Sequence, residues 1–431
     1  MNSGFGLSAA ARAALLARLT RQRHDAAMPE TPRGFRELPG QREMALIRDA
    51  AASLDLENPF FRAHEGIASA HSIIAGREVI NFGSYNYLDL NGDPRVLAAA
   101  KAAIDRHGVS ASASRMVSGE RPVHGVLEAA LAAHYRAPAA LVFVSGHATN
   151  VTVIGHLMGP RDLIVHDAAI HNSCTEGVRL SGARRLSFAH HDWRAAEAAL
   201  AEARRSARRA LLLIEGHYSM DGDIPDLPRF IDIARRHDAW LMVDEAHALG
   251  VVGARGHGVH EHFGIDPHEV DIWMGTLSKT LSGCGGYIAG NASLIEWLRH
   301  SAPGFVYSVG LAPALAAAAA ESLAILYAEP ERVARLQANA ALFLRLAREA
   351  GFDTGTATAH AIVPVILGSS IAAARYSQKL LERGINVQPI IYPAVAEKAA
   401  RLRFFFSSAH SDDDIRTTIA ALIGIRAEAK G

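Results

Sequence analysis

Two cysteines, Cys174 and Cys284, are all that the 431 residues contain. That scarcity excludes a disulfide-stapled framework and a paired CxxC zinc site, and it favours a reducing compartment. Excess charge is missing as well: Lys plus Arg number 44 and Asp plus Glu number 44. The chain as a whole therefore has no electrostatic pull toward nucleic acid or an anionic membrane. No transmembrane segment is expected. The most apolar stretch, Leu311 to Tyr327, is mostly alanine and includes Pro313 and Glu321, short of the roughly 20 strongly apolar residues that span a bilayer. It reads as a buried helix. Nor is a secretory signal expected, because Ser8 to Arg23 scatters arginine among Ala and Leu where a signal needs an unbroken apolar core. A cytoplasmic location is the expectation.

What is present is a large reserve of core-forming residues. Apolar residues make up 49% and charged residues 20%, enough to bury a substantial core and too apolar for disorder. Helical periodicity begins near Ser8 and is interrupted by Pro29, Pro32 and Pro39; a second helix is expected over Glu43 to Ser53. Short apolar runs then alternate with helical stretches. Residues 141–144, 211–214, 240–243, 272–274 and 287–289 are strand-like, and 122–135, 193–205 and 227–237 helix-like. That alternation is the mark of a mostly parallel α/β sheet. Ile362 to Leu367, a helix over 371–383 and a turn at Gly384 suggest a smaller α+β domain. The expected organisation is a helical arm over 1–78, a large domain over 79–325 and a small domain over 326–431.

Chemistry gathers at the ends of predicted strands, where open α/β sheets bind ligands. The run WLMVDEAHALG delivers Asp244 and His247, DIWMGTLSK delivers Thr276, Ser278 and Lys279, and LVFVSGHATN delivers the turn Ser145-Gly146-His147 at a helix start. A helix start of that kind offers backbone N–H groups to a phosphate. Pyridoxal 5′-phosphate explains all three runs together, since it needs a lysine for its aldehyde, a carboxylate for its ring nitrogen and a cup for its phosphate.

The runs VDEAHALGVVGARGHGV (243–259) and GTLSKTLSGCGGYIAG (275–290) resemble the α-oxoamine synthases, fold-type I members of the class-II pyridoxal-phosphate-dependent aminotransferase superfamily. The resemblance extends from about Val79 to the C-terminus. It implies a large domain with a mostly parallel seven-stranded sheet, a small α+β C-terminal domain and an N-terminal arm. Implied roles are cofactor attachment and α-proton transfer for Lys279, the ring-nitrogen partner for Asp244, a hydrogen bond to the phenolic oxygen for His247, and stacking on the ring for His171. Ser145, Gly146 and His147 resemble the phosphate cup, Thr276 and Ser278 the hydroxyls flanking the lysine, and Ser219 the serine near the phenolic oxygen. Ser308 matches a hydroxyl that reaches the phosphate from a partner subunit, which implies a homodimer with shared active sites. Arg403 matches the arginine that holds the substrate carboxylate, and Arg401, two residues away, is expected to point to the opposite face of a strand, so that only one of the pair enters the pocket.

The implied reaction joins an amino acid to an acyl thioester, releasing CO2 and free thiol and leaving an α-amino ketone. Within the family, NFGSYNYLDL (81–90) is closest to the serine palmitoyltransferase-like branch. Tyr85 stands there where an asparagine would help bind the carboxylate, favouring serine or alanine over glycine. The stretch 58–96 resembles versions of this domain found with assembly lines, so an acyl carrier protein is weighed beside acyl-CoA as donor. Competing readings are 8-amino-7-oxononanoate synthase or glycine C-acetyltransferase activity, an aminotransferase, and a non-catalytic scaffold subunit. The histidines of HGVHEH (257–262) are read as an exposed loop and not a metal site, His190 and His191 as surface or packing residues, and Cys174 as a buried unreactive thiol.

Overall fold

The computed structural model describes residues 35, 38 and 40–429, so the helical reading that begins at Ser8 lies outside the described residues. By internal contacts the chain divides once, into 1–58 and 59–431. The first unit contributes the helix Gln41–Ser53, two residues longer at its start than expected.

The second unit carries the strands β1 (His64–Glu65), β2 (His71–Ile74), β3 (Arg77–Asn81), β4 (Ala139–Phe143), β5 (Leu163–Asp167), β6 (Arg184–Phe188), β7 (Ala210–Glu215), β8 (Trp240–Asp244), β9 (Ile272–Thr276), β10 (Gly286–Gly290), β11 (Ile362–Ile366), β12 (Ile385–Asn386), β13 (Gln388–Ile390) and β14 (Arg401–Phe405). Seven of them form one sheet in the order β4-β10-β9-β8-β7-β5-β6. Strands β5 to β9 run parallel, and β10 is antiparallel to both its neighbours. This is the mostly parallel seven-stranded α/β sheet that the sequence implied.

The apolar runs are continuous because both faces of the sheet are covered. Leu211 and Leu213 enter one core with Leu141, Ile164 and Met242. Leu212 and Ile214 enter the other with Val142, Val165 and Val243. The helices Pro122–His134, Trp193–Ala203 and Leu227–Arg236 fall where periodicity placed them. The Asp192 side chain starts the second of these by accepting the Ala195 N–H at 2.9 Å. Two strands of the sheet were missed: β5, whose apolar run Leu163 to Val165 is short and ends polar in LIVHD, and β6, RRLSF, an edge strand with a mostly exposed face.

Smaller sheets join distant parts of the second unit. The order β1-β2-β3-β12 pairs Ile80 with Ile385, so the segment before residue 79 is tied to the C-terminal region. The expected seam at 78/79 thus falls inside β3, and the one at 325/326 inside the helix Pro313–Ala328. Sheet partners, invisible in a linear pattern, decide such boundaries. The antiparallel sheet β11-β14-β13 brings in Arg401 and Arg403. Among the described residues no helix is long and apolar enough to cross a membrane.

The histidines of 257–262 do not form an exposed loop, which corrects the sequence reading. His260 is buried, with its ring 5.8 Å from Tyr135 and 5.5 Å from Trp273, and only His262 is exposed. The short helix Val259–Phe263 turns one face inward and takes His260 with it. Burial lowers the pKa of His134 to about 3 and of His260 and His410 to about 4. Their folded values lie below the unfolded value, so the native state resists a proton that the unfolded chain accepts. Stability from these groups is therefore complete above about pH 6.5 and falls as pH drops toward 4, at up to about 1.4 kcal/mol per pH unit for each imidazole. Urea unfolding at pH 7 and pH 5 is expected to give a clearly lower midpoint at pH 5; equal midpoints would contradict it.

Candidate active site

The expected residues converge at the C-terminal ends of the parallel strands. Asp244 is the last residue of β8, Thr276 the last of β9, and Ser145 follows β4 as the N-cap of the helix Gly146–Leu157. The Ser145 hydroxyl accepts the Ala148 N–H at 3.4 Å. The first-turn N–H groups of Gly146 and His147 point out of the helix end, as such donors must. Glycine is required at 146 by close approach: a Cβ there would lie 2.7 Å from Thr276 Oγ1. Thr276 Oγ1 is in turn 3.3 Å from the Ser278 hydroxyl and donates to Gly285 O at 3.0 Å.

Asp244 is buried and held from two sides. Its Oδ1 accepts the Ala246 N–H at 2.9 Å, and its Oδ2 accepts Asn150 Nδ2 at 2.8 Å. Cys174 Sγ lies 3.8 Å from the same oxygen, and burial followed by the Asp244 charge pushes its thiol pKa well up. It is the buried thiol expected.

Lys279 Nζ sits 5.7 Å from the centre of the Tyr85 ring. Burial lowers its pKa to about 8 against the opposing pull of Asp244 and Glu215. A lysine at that value has a sizeable neutral fraction near neutral pH, as a nucleophile or proton carrier requires. His247 is buried, with Nδ1 2.7 Å from the Tyr87 hydroxyl. Burial, then the Lys279 charge, drives its pKa well down, so it is a neutral imidazole. His171 caps the helix Asn172–Ser181 and bonds the Ser173 hydroxyl through Nδ1 at 2.7 Å. Its ring stands edge-on to His147 at 6.4 Å.

Arg403 and Arg401 are two residues apart on β14 and so share a face, which corrects the expectation that they part company. Their partners separate them. Arg401 Nη1 bonds the Asp221 carboxylate at 2.6 Å. Arg403 stacks on Phe405 at 4.6 Å and donates to the Ser219 carbonyl at 3.2 Å. Among the described residues its buried Nε has no hydrogen-bond partner and its guanidinium pairs with no carboxylate. Tyr85 joins this wall, edge-on to Phe405 at 4.8 Å. A cavity of about 340 Å³ opens beside Lys279, with Tyr85, Asn86, Asn81 and His64 in its lining. A larger one, about 590 Å³, lies at the opposite ends of the strands among Trp240, Trp273 and Trp297, and carries none of these residues. Ser308 stands apart, on a half-exposed turn after the helix Pro303–Val306.

Pyridoxal 5′-phosphate fits what is present. Among the described residues the buried Asn150 Oδ1 and Arg403 Nε lack partners, a buried carboxylate faces a lysine of lowered pKa, and a helix start with a tight glycine offers donors for a phosphate. Sequence reading missed Asn150, one helical turn past Gly146, and Glu215, the residue paired with Asp244 in register on β7. Glu215 obeys the same strand-end rule that picked out Asp244. It accepts the His171 N–H, and burial with the Asp244 charge pushes its pKa well up. Tyr87 was missed too, because its partner His247 is 160 residues away.

Residues 77–422 match the aminotransferase class I and II family. The chain is 41% identical over 375 residues to the 8-amino-7-oxononanoate synthase of Fervidobacterium nodosum, covering 86% of this chain and 94% of that one. It is 35% identical over 388 residues to the serine palmitoyltransferase of Bacteroides ovatus, covering 88% and 98%. The solved serine palmitoyltransferase of S. paucimobilis with a bound pyridoxal-phosphate adduct of myriocin superposes with a TM-score of 0.85, at 30% identity, over 89% of this chain and 96% of that one.

Proposed function

Since the chain belongs to the aminotransferase class I and II family, and within it to the α-oxoamine synthases, we propose that it condenses a small amino acid with an acyl thioester. The products are an α-amino ketone, CO2 and the free thiol. The observation that carries this reading is the convergence at one end of the sheet of Lys279, Asp244 and Arg403, which among the described residues pairs with no carboxylate. When bound, pyridoxal 5′-phosphate accepts the electron pair released at the amino acid α-carbon.

This chain's residues do the rest. Gly146 and His147 N–H groups, with Thr276 and Ser278, would hold the phosphate. Asp244, fixed by Asn150, would keep the ring nitrogen protonated, and His247 would bond the phenolic oxygen beside Ser219. Lys279 Nζ would carry the cofactor and then move the α-proton, while His171 covers the ring and orients the amino acid. Arg403 offers the carboxylate two parallel donors. Arg403→Lys is expected to raise KM for the amino acid about a hundredfold, with a smaller change in kcat, because a point charge cannot reproduce the fork; steady-state kinetics would show it.

Serine or alanine is the proposed amino acid, with Tyr85 in place of a carboxylate-binding asparagine. A carrier-protein thioester is proposed as donor ahead of acyl-CoA, on the character of residues 58–96. A second copy of the chain is proposed to bring Ser308 to the neighbouring phosphate. Exposed Tyr307 and Val309 beside exposed Val117 make an apolar patch suited to such a contact, the two segments being joined by Gly310 N–H to Ala113 O at 2.9 Å. The test offers glycine, alanine and serine in turn with acyl-CoA or acyl carrier protein, and measures CO2 and thiol. Serine or alanine with stoichiometric CO2 and thiol supports the reading; pyridoxamine phosphate without thiol release would make the protein an aminotransferase.

A further inference from the structure

Asp167, His190, His191 and Asp223 gather between two loops of the site without entering it. Asp167 closes β5, accepting the Ala169 N–H on Oδ1 at 2.7 Å and the His191 N–H on Oδ2 at 2.9 Å. The His190 ring spans the gap to Asp223: Nδ1 is 3.0 Å from Asp167 Oδ1, and Nε2 is 3.2 Å from Asp223 Oδ2. Asp223 also accepts the Thr356 hydroxyl, and His191 Nε2 lies 3.2 Å from its Oδ2. Tyr218 packs edge-on to the His190 ring at 4.5 Å.

Asp167, His190 and His191 present donor atoms within 4.8 Å of one another, the ligand types of a metal site. A metal needs a ring nitrogen with a free lone pair. Here a carboxylate faces each nitrogen of His190, and only an imidazolium donates from both. Burial opposes that charge, but Asp167 and Asp223 outweigh it and raise the pKa to about 10. A proton therefore occupies the place a metal would need.

We infer that His190 is a positioning residue: as a cation donating from both ring nitrogens, it clamps the turn that presents His171 to the loop that presents Ser219. Asp167 lies four residues before His171 and Asp223 four residues after Ser219. The loop end is closed by Tyr218 N–H to Asp223 O at 3.0 Å, and Ser219 O receives Arg403. The clamp thus sets how His171 and Arg403 stand relative to each other, and with them the pose of the amino acid. Its consequence for catalysis rests on the roles proposed above for those two residues.

Holoenzyme carrying His190→Gln, Asp223→Asn or both is compared with the parent for cofactor content, melting temperature and amino acid kinetics. Each single variant is expected to keep one cofactor per chain and to raise KM for the amino acid about tenfold with kcat within about threefold. The double variant should be no worse than the more affected single one, because either change breaks the same bridge. KM within twofold of the parent in the foldable single variants would overturn the inference, as would independent, multiplying losses. So would a stoichiometric metal whose removal by chelator raises KM. A parent chain that binds no cofactor, or a His171→Ala variant with parental KM, would instead sink the site assignment.

Discussion

Replacing Lys279 by alanine is expected to lower turnover on the order of 10⁴-fold, since it removes both the covalent anchor and the group that moves the α-proton. Borohydride reduction of the parent protein followed by peptide mapping should place a pyridoxyl group on Lys279, and none should form in the variant. The fold should survive. Lys279 lies just past β9 with its amine near the Tyr85 ring, and the buried Asp244 that its charge attracts keeps its hydrogen bonds from Asn150 and Ala246 when the lysine is gone. Parental turnover in the variant, or a pyridoxyl group on a different lysine, would remove Lys279 from its role.

Asp244→Asn is expected to reduce kcat about a thousandfold while the chain still folds. The substitution keeps the shape of a side chain buried at the end of β8 and removes its charge. The Asn150 amide and the Ala246 N–H, which now donate to a carboxylate at 2.8 and 2.9 Å, would meet a neutral partner. Without the negative charge the ring nitrogen of the cofactor has nothing to keep its proton, so the pull on the breaking α-carbon bond weakens. The same change withdraws the largest attraction that opposes desolvation at Lys279, so the lysine pKa should fall further below about 8. A pH profile whose lysine limb moves to lower pH, together with the fall in kcat, would identify the cause as charge. A variant with parental kcat would show that the carboxylate does not face the ring.

The lysine, the aspartate and the glycine turn were legible because each closes an apolar run of about five residues, and strand ends on one side of a parallel sheet necessarily meet. Glu215 obeyed the same rule and was passed over, its acidic side chain giving no hint of burial beside Asp244. Asn150 was within reach of helical spacing from Gly146. Tyr87 was not, since nothing in NFGSYNYLDL indicates which ring its hydroxyl will meet. The pairing of Arg401 with Asp221 also lay beyond sequence, and it, not strand alternation, distinguishes the two arginines.

By itself the sequence determined the sheet, the family and most of the side chains gathered at the strand ends, because buried parallel strands and their exits are local patterns of a few residues. Tertiary structure alone decided three things. It paired β3 with β12 and so tied the segment before residue 79 to the C-terminal region. It buried His260, which local polarity had placed outside. It set His190 between Asp167 and Asp223, contributed by segments 23 and 33 residues away. The physical reason is common to all three. Hydrogen bonds, charge pairs and burial depend on which distant segments the fold brings within about 3 Å, and no local pattern of residues encodes that distance.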